Sequence, residues 1–274
     1  LAVSAFGESH VSKIKPLDGE YWWGGANFFG QYMPYRDFAE KDIGKSNFSN
    51  QADPLFVSSK GRYIWSDKPF KFSVKEGEIT ITSDYEEVKP VRAGKTLKDA
   101  FLAAAKKHFP PSGKIPPEIF FSEPQYNTWI ELQRDQNQKG IEKYADDIIK
   151  NKFPIGVFMI DGGWQKYQGN YEFRPEAFTD PKAMFDKING MGFKTLLWVG
   201  PFVAPDSPEY RDLKNKGLLI MRKSRKSPGI LHWWSGYSAA YDLTKPEAVE
   251  SLKGTLRDMQ KKYGMHGFKF DAGD

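Results

Sequence analysis

The sequence predicts a β-sandwich followed by an α/β part, on three observations. Short segments rich in β-branched and aromatic residues, cut by Asp, Gly and Pro turns, fill residues 1 to about 95. From residue 118 apolar strand candidates alternate with amphipathic helices, the pattern of right-handed βαβ units and a parallel sheet. Two of the four strand candidates end on a carboxylate, at Asp161 and Asp271, so polar chemistry gathers at the carboxyl ends, where α/β proteins carry their sites. Four βα units are the N-terminal half of a (β/α)8 TIM barrel; a doubly wound four-stranded sheet is the competing account.

The first part rests on its alternation. Residues 61–65, 70–74 and 78–82 are short and turn-bounded, and the last two alternate as strands with one wet face do. The stretch 21–30, aromatic and glycine-rich, reads as core strand and turn or as a loop reaching towards a carbohydrate. Thr96 opens a helix over 96–108, with Asp99 completing a capping box and Phe101, Leu102 and Ala105 on one face. Pro110, Pro111 and Gly113 end it, and 114–117 reads as a linker. The predicted domains are therefore 1–115 and 116–274.

In the second part, strands are expected at 118–122, 155–160, 194–199 and 267–271. Helices are expected at 138–151, with Ile141, Tyr144, Ala145 and Ile148 inward, at 181–190 behind Asp180 and Pro181, and at 207–216. A long helix opens at Thr244-Lys245-Pro246-Glu247, which reads as a second capping box. A half barrel leaves two apolar strand edges unpaired. The sequence is thus expected to be the front of a longer polypeptide, or one piece of a cleaved one, truncated after the fourth strand.

Composition removes several function classes. No run approaches the length and apolarity of a membrane span, and Leu1-Ala2-Val3-Ser4-Ala5 is too short for an export signal and lacks a basic start. The net charge of +5 is spread along the chain; its one dense basic run, 222–226, stands without a nucleic-acid motif and reads as a solvated loop. The chain has no cysteine, and His10, His108, His232 and His266 show no metal-ligand spacing, so no metal site is expected. Phosphate-cradling and dinucleotide loops are missing too, so no cofactor is expected. Eight Trp and thirteen Tyr offer stacking surfaces for sugar rings.

The chemistry concentrates at the last strand. Lys269 and Asp271 sit two apart, hence on one side of a strand, which puts an ammonium beside a carboxylate, the pairing that favours an ionised nucleophile. Periodicity alone makes Trp198 a core residue and leaves Asp161, Tyr126 and Trp164 open between turn or packing roles and function. Trp233 and Trp234 are adjacent and cannot face the same way; Trp234 is taken as the ligand contact. Asp135, Asp146, Asp147 and Asp186 read as solvated helix faces.

Several motifs resemble glycoside hydrolase family 31, the retaining α-glycosidases: 54–62 in the sandwich, Ile160-Asp161, the 178–181 turn, 198–201, 241–246, and 232–236 followed by 267–273. The last pair is most similar to the branch of the animal myogenesis-regulating glycosidase, which acts on α-galactosides. The resemblance implies an α-galactosidase or α-glucosidase with Asp271 as nucleophile, and Lys269 beside it contacting the sugar. It implies Asp161 on hydroxyls distant from the anomeric centre, Trp198 and Trp234 as walls, and Tyr126 and Trp164 as further substrate contacts. An oligosaccharide or glycoside is the implied partner, with the remaining half of the barrel; the substrates of the family point to an extracytoplasmic site. Two departures stand out. Asp274 replaces the usual glutamate, and the general acid/base belongs to a later barrel strand. A catalytically silent carbohydrate-binding fragment is therefore the alternative. Related α-galactosidase families with Lys-x-Asp on the fourth strand fit less well, because the 54–62 segment is foreign to them.

Overall fold

The computed structural model describes residues 9–44, 52–222 and 224–271, which fall into two units meeting in sequence between Lys114 and Ile115. Asp274, Lys223 of the basic run and residues 1–5 lie outside the described residues.

Alternation builds the first unit. Its strands are β1 (His10–Ile14), β2 (Trp22–Ala26), β3 (Phe38–Asp42), β4 (Ala52–Ser58), β5 (Arg62–Ile64), β6 (Lys71–Lys75), β7 (Glu78–Ser83) and β8 (Val91–Arg92). They form two antiparallel sheets, ordered β1-β7-β6-β3 and β2-β4-β5-β8. Every second residue of β6 and β7 is buried, and Phe72, Ile79 and Ile81 from that sheet share one core with Trp22, Phe56 and Ile64 from the other. Two sheets closing on one apolar layer make a sandwich. The aromatic stretch after Tyr21 is core strand and turn, with Phe29 buried in the 3-10 turn Asn27–Tyr32. Gly24 is required there: at φ +133° a Cβ would stand 2.1 Å from the Leu55 carbonyl oxygen.

Helix α1 (Leu97–His108) carries the expected capping box of Thr96 and Asp99. Its buried face differs from expectation. Ala100 and Ala104 are fully buried against Tyr63, while Phe101 and Leu102 are both 53% exposed. Only small side chains let the helix axis come close to the sheet, so the alanines won the inner face.

The second unit holds a four-stranded parallel sheet: β9 (Gln125–Asn127), β10 (Val157–Ile160), β11 (Lys194–Val199) and β15 (Gly267–Phe270). Between them in the chain come α2 (Ile119–Ser122), α3 (Thr128–Leu132), α4 (Gln138–Lys150), α5 (Pro181–Gly190), α6 (Pro208–Asn215) and α7 (Pro246–Tyr263). After β11 the chain adds a small sheet of β12 (Phe202–Val203), β13 (Leu231–Trp233) and β14 (Gly236–Ala240), ordered β12-β14-β13. The expected first strand at 118–122 is wrong: it is the helical turn α2, with Phe121 72% exposed, and the strand follows Pro124. The Pro124 carbonyl accepts from the Val157 amide at 2.9 Å, and a Cβ on Gly156 would collide with that carbonyl at 2.1 Å. The pair registers β9 on β10.

The parallel strands run β9-β10-β11-β15, in chain order with no reversal. A doubly wound sheet reverses at a switch point; steady progression is consistent with part of a (β/α)8 barrel. Phe158, Ile160, Leu197 and Val199 face one layer with Ile141, Ala145, Phe185, Ile188, Leu252 and Met259 of α4, α5 and α7. The alternate residues face the other way, and that face carries the polar groups. Asp180 caps α5 by accepting from the Ala183 amide at 2.9 Å. The second expected capping box does not form. Lys245 is the residue before α7, and Thr244 instead donates its hydroxyl to Asp242 at 2.6 Å, because it stands one residue too early to reach the helix amides. Among the described residues no helix is long and apolar enough to cross a membrane.

Candidate active site

The parallel register decides which side chains meet. Met159 lies opposite Asn127 and Leu196, Leu196 opposite Gly267, and Trp198 opposite Lys269. Each strand alternates, so Asn127, Trp198, Lys269 and, one step past the strand ends, Asp161 and Asp271 share the face away from the helices. The Asp271 amide donates to the Val199 carbonyl at 3.0 Å, which carries the pairing of β15 with β11 to the residue itself.

Lys269 bridges the two carboxylates. Its Nζ donates to Asp161 Oδ2 at 2.9 Å and stands 3.7 Å from Asp271 Oδ2, so it is bonded more tightly to Asp161 than to its neighbour on the strand. The Trp198 indole N–H donates to Asp271 Oδ2 at 2.8 Å. Asp161 is 4% exposed and so needs its partners. Besides Lys269 it accepts the Gly162 amide on Oδ1 at 2.7 Å, and its own amide donates to Thr128 Oγ1 at 2.9 Å. Thr128 in turn donates to Gln136 Oε1 at 2.6 Å, and both residues are fully buried. This Thr128–Gln136 brace fixes the strand end that carries Asp161.

Two hollows open over these groups. One, of about 250 Å³, is lined by Asn127, Trp129, Asp161, Trp234, Lys269 and Asp271. The other, of about 190 Å³, shares Trp129, Asp161 and Trp234 and adds Arg134, Gln168 and Trp198 among its walls. Trp234 is 56% exposed at the turn between β13 and β14 and meets Trp198 edge to face at 6.4 Å. Trp233 is buried, packs on Phe202 at 4.2 Å and donates its indole N–H to Ser238. Two carboxylates, the cations Lys269 and Arg134, the amides of Asn127 and Gln168 and indole walls suit a polyol: the polar groups bind hydroxyls and the indoles stack on C–H faces.

Two sequence candidates lie elsewhere. Tyr126 is on β9 rather than after it, and strand parity turns its ring to the helix layer. There it meets Phe193 edge to face at 6.0 Å and donates its hydroxyl to the Pro154 carbonyl at 2.7 Å. Desolvation, with Glu123 nearby, pushes its phenol above the ordinary value. Trp164 is fully buried, packed on Phe173 at 4.7 Å, with its indole N–H donated to the Trp198 carbonyl at 2.9 Å. It supports the strand that carries Trp198 and does not line either hollow. Sequence reasoning missed Asn127, Trp129, Thr128 and Gln136. With the first strand placed at 118–122, all four fell in a loop. The signal for them was Pro124 followed by Asn127, whose side chain accepts from the Trp129 amide at 2.8 Å and starts α3.

The profile described as "Glycosyl hydrolases family 31 TIM-barrel domain" matches residues 114–274, more than half of the sequence. The chain belongs to glycoside hydrolase family 31. It is 25% identical over 283 residues to the myogenesis-regulating glycosidase of Mus musculus, covering 93% of this chain and 40% of that protein. It is also 25% identical over 235 residues to the alpha-xylosidase XylQ of Lactiplantibacillus pentosus, covering 81% of this chain and 29% of that one. The chain thus spans well under half the length of these family 31 relatives. A family 31 dextranase of Flavobacterium johnsoniae complexed with glucose superposes with a TM-score of 0.76 at 18% identity, over 96% of this chain and 33% of that one; the likeness is one of fold. The names of the xylosidase and dextranase give no support to the α-galactoside expectation.

Proposed function

We propose that this chain carries the nucleophile side of a retaining α-glycoside hydrolase acting on neutral α-linked sugars, of which α-glucosides and α-xylosides are the first to test. The observation that carries the reading is Asp271: its Oδ2 takes the Trp198 indole N–H at 2.8 Å, with the Lys269 ammonium at 3.7 Å, in a hollow it shares with Asp161 and Trp234. A carboxylate held this way attacks the anomeric carbon as the bond from that carbon to the leaving oxygen breaks, forming a glycosyl ester. An acid carboxyl, expected roughly 5 Å from Asp271 and on a later barrel strand by the family resemblance, protonates the leaving oxygen. As a base it then takes a proton from the water that cleaves the ester. Asp161, pinned by Lys269 and the Gly162 amide, holds sugar hydroxyls away from the reacting carbon. Trp234 and Trp198 wall the ring.

The test is peptide mass spectrometry of the native protein after incubation with α-gluco-, α-xylo- and α-galacto-configured covalent inactivators. An adduct on the peptide carrying Asp271, abolished in Asp271→Ala, is the expected result, and the preferred inactivator names the sugar. Labelling of another carboxylate, or of none with all three reagents, overturns the assignment.

A further inference from the structure

Arg174 has no part in the chemistry above and lines neither hollow, yet it closes a ring of hydrogen bonds around Asp161. It stands between β10 and α5, and its backbone amide donates to the Trp164 carbonyl at 2.9 Å, which fixes the residue where the chain doubles back. From there its guanidinium reaches two further carbonyls. Nε donates to Gly163 at 3.0 Å, two residues past Asp161, and Nη2 donates to Gln136 at 3.1 Å, in the connection from α3 to α4.

Both bonds lead to Asp161. On the Gln136 side, Oε1 accepts from Thr128, whose Oγ1 accepts the Asp161 amide at 2.9 Å. On the Gly163 side the chain runs back to Gly162, whose amide donates to Asp161 Oδ1 at 2.7 Å. Asp161 is thus held at its backbone by one arm and at its carboxylate by the other, and the arms meet at one guanidinium. They also touch: at φ +106°, a Cβ on Gly163 would stand 3.3 Å from the Arg134 carbonyl oxygen and 3.4 Å from Gln136 Cγ. Arg134, Gly162 and Gly163 all line the smaller hollow. Two carbonyls in need of donors could be served separately, by amides or by water. A rigid planar fork instead serves both at one fixed spacing, which becomes the spacing of the two arms. Nη1 stands 3.6 Å from Glu176, which is 63% exposed, and a surface pair of that kind adds little.

We infer that Arg174 is a positioning residue of this site: by setting the distance between the turn after β10 and the connection from α3 to α4, it aims the Asp161 carboxylate at the sugar's 4-hydroxyl, across the ring from the reacting carbon. The inference rests on the glycosidase reading of the hollow. Arg174 makes no contact with Asp271 or with the sugar; it governs how well the ring is held at the end away from the nucleophile.

The test compares Arg174→Met, which keeps an apolar stem and removes the donors, with Arg174→Lys, whose single ammonium cannot serve both carbonyls as a fork does. Both are made in the native protein. Two substrates are used: whichever α-glycosyl fluoride of glucose, xylose or galactose the wild type cleaves best, and its 4-deoxy analogue. With a hydrogen bond to a charged group as guide, Arg174→Met is expected to lower kcat/KM on the fluoride by roughly 10- to 100-fold. On the 4-deoxy analogue, which gives Asp161 no such hydroxyl to hold, it should stay within about twofold of the wild type. Arg174→Lys should fall between wild type and Arg174→Met on the fluoride. An equal loss on both substrates overturns positioning and makes Arg174 a structural clamp, and no loss on either overturns it too. If Arg174→Met does not fold, the same comparison with Arg174→Lys decides. If the wild type cleaves none of the fluorides, the glycosidase reading has failed. Positioning is then judged by titrating glucose, xylose and galactose, each beside its 4-deoxy form, against wild type and variant. A loss of affinity confined to the intact sugar supports it; equal affinity, or no binding by either, overturns it.

Discussion

Replacing Trp198 with Phe separates positioning of the nucleophile from simple packing. Trp198 is 1% exposed and packs with Phe202, Trp233 and Ala240, so losing part of the indole should destabilise the fold by about 1–2 kcal/mol, below the cost of truncation to Ala. The same change removes the donor at 2.8 Å from Asp271 Oδ2. The carboxylate then keeps the Lys269 ammonium at 3.7 Å but loses the short bond that sets its angle. Misplacement of a reacting group by about 1 Å can cost about 100-fold, so a loss of roughly 10- to 100-fold in kcat/KM is expected on the α-glycosyl fluoride. Phe202→Leu serves as control, since Phe202 belongs to the same cluster and packs its ring on Trp233, with no hydrogen bond to give Asp271. It should lower Tm by a similar amount and leave the fluoride rate within about twofold. Equal Tm losses with equal, small rate losses in the two variants would refute the positioning argument and make Trp198 a packing residue only.

Lys269→Met leaves Asp161, 4% exposed, without its ammonium. Up to about 3 kcal/mol of stability should be lost, read from urea midpoints, along with most labelling of Asp271; an unchanged midpoint would mean that the pair contributes nothing net. In the sandwich, burial alone would raise the Glu20 carboxyl, but hydrogen bonds from Arg62, the Leu17 amide and Ser58 outweigh it and hold Glu20 below its ordinary value of 4.5. Because the folded value is the lower one, this contribution is present above about pH 4.5 and fades as the pH falls below it. Arg62→Met should therefore destabilise by about 3 kcal/mol at pH 7 and by less at pH 3. Parallel Tm curves for wild type and variant across that range would contradict it.

Elements that announce themselves through local chemistry were readable in the sequence. Asp180 followed by Pro181 specified α5, and alternation through Lys71–Lys75 and Glu78–Ser83 specified two sandwich strands. An apolar run closing on Asp161 or Asp271 specified a strand end at a polar mouth. Where a short apolar run can satisfy either pattern, the sequence misled. Residues 119–122 form a helical turn because the Phe121 amide finds the Glu118 carbonyl at 2.8 Å, while the strand went to the residues after Pro124 that could register against β10.

By itself, then, the sequence determined the antiparallel strands of the first unit, the alternation of strand and helix in the second and the strand ends at Asp161 and Asp271, because capping, alternation and turn chemistry act over a few residues. Tertiary structure alone decided which side chains share a face. Parity on β9 sent Tyr126 to the helix layer and Asn127 to the hollow, and a buried bond to the Trp198 carbonyl made Trp164 a support. The partner of Lys269 was settled at the same level. Spacing put it beside Asp271, whereas the register of three adjacent strands brought Asp161, 108 residues away in sequence, to 2.9 Å. Contacts of that kind depend on strand order and register, which no local run of residues encodes.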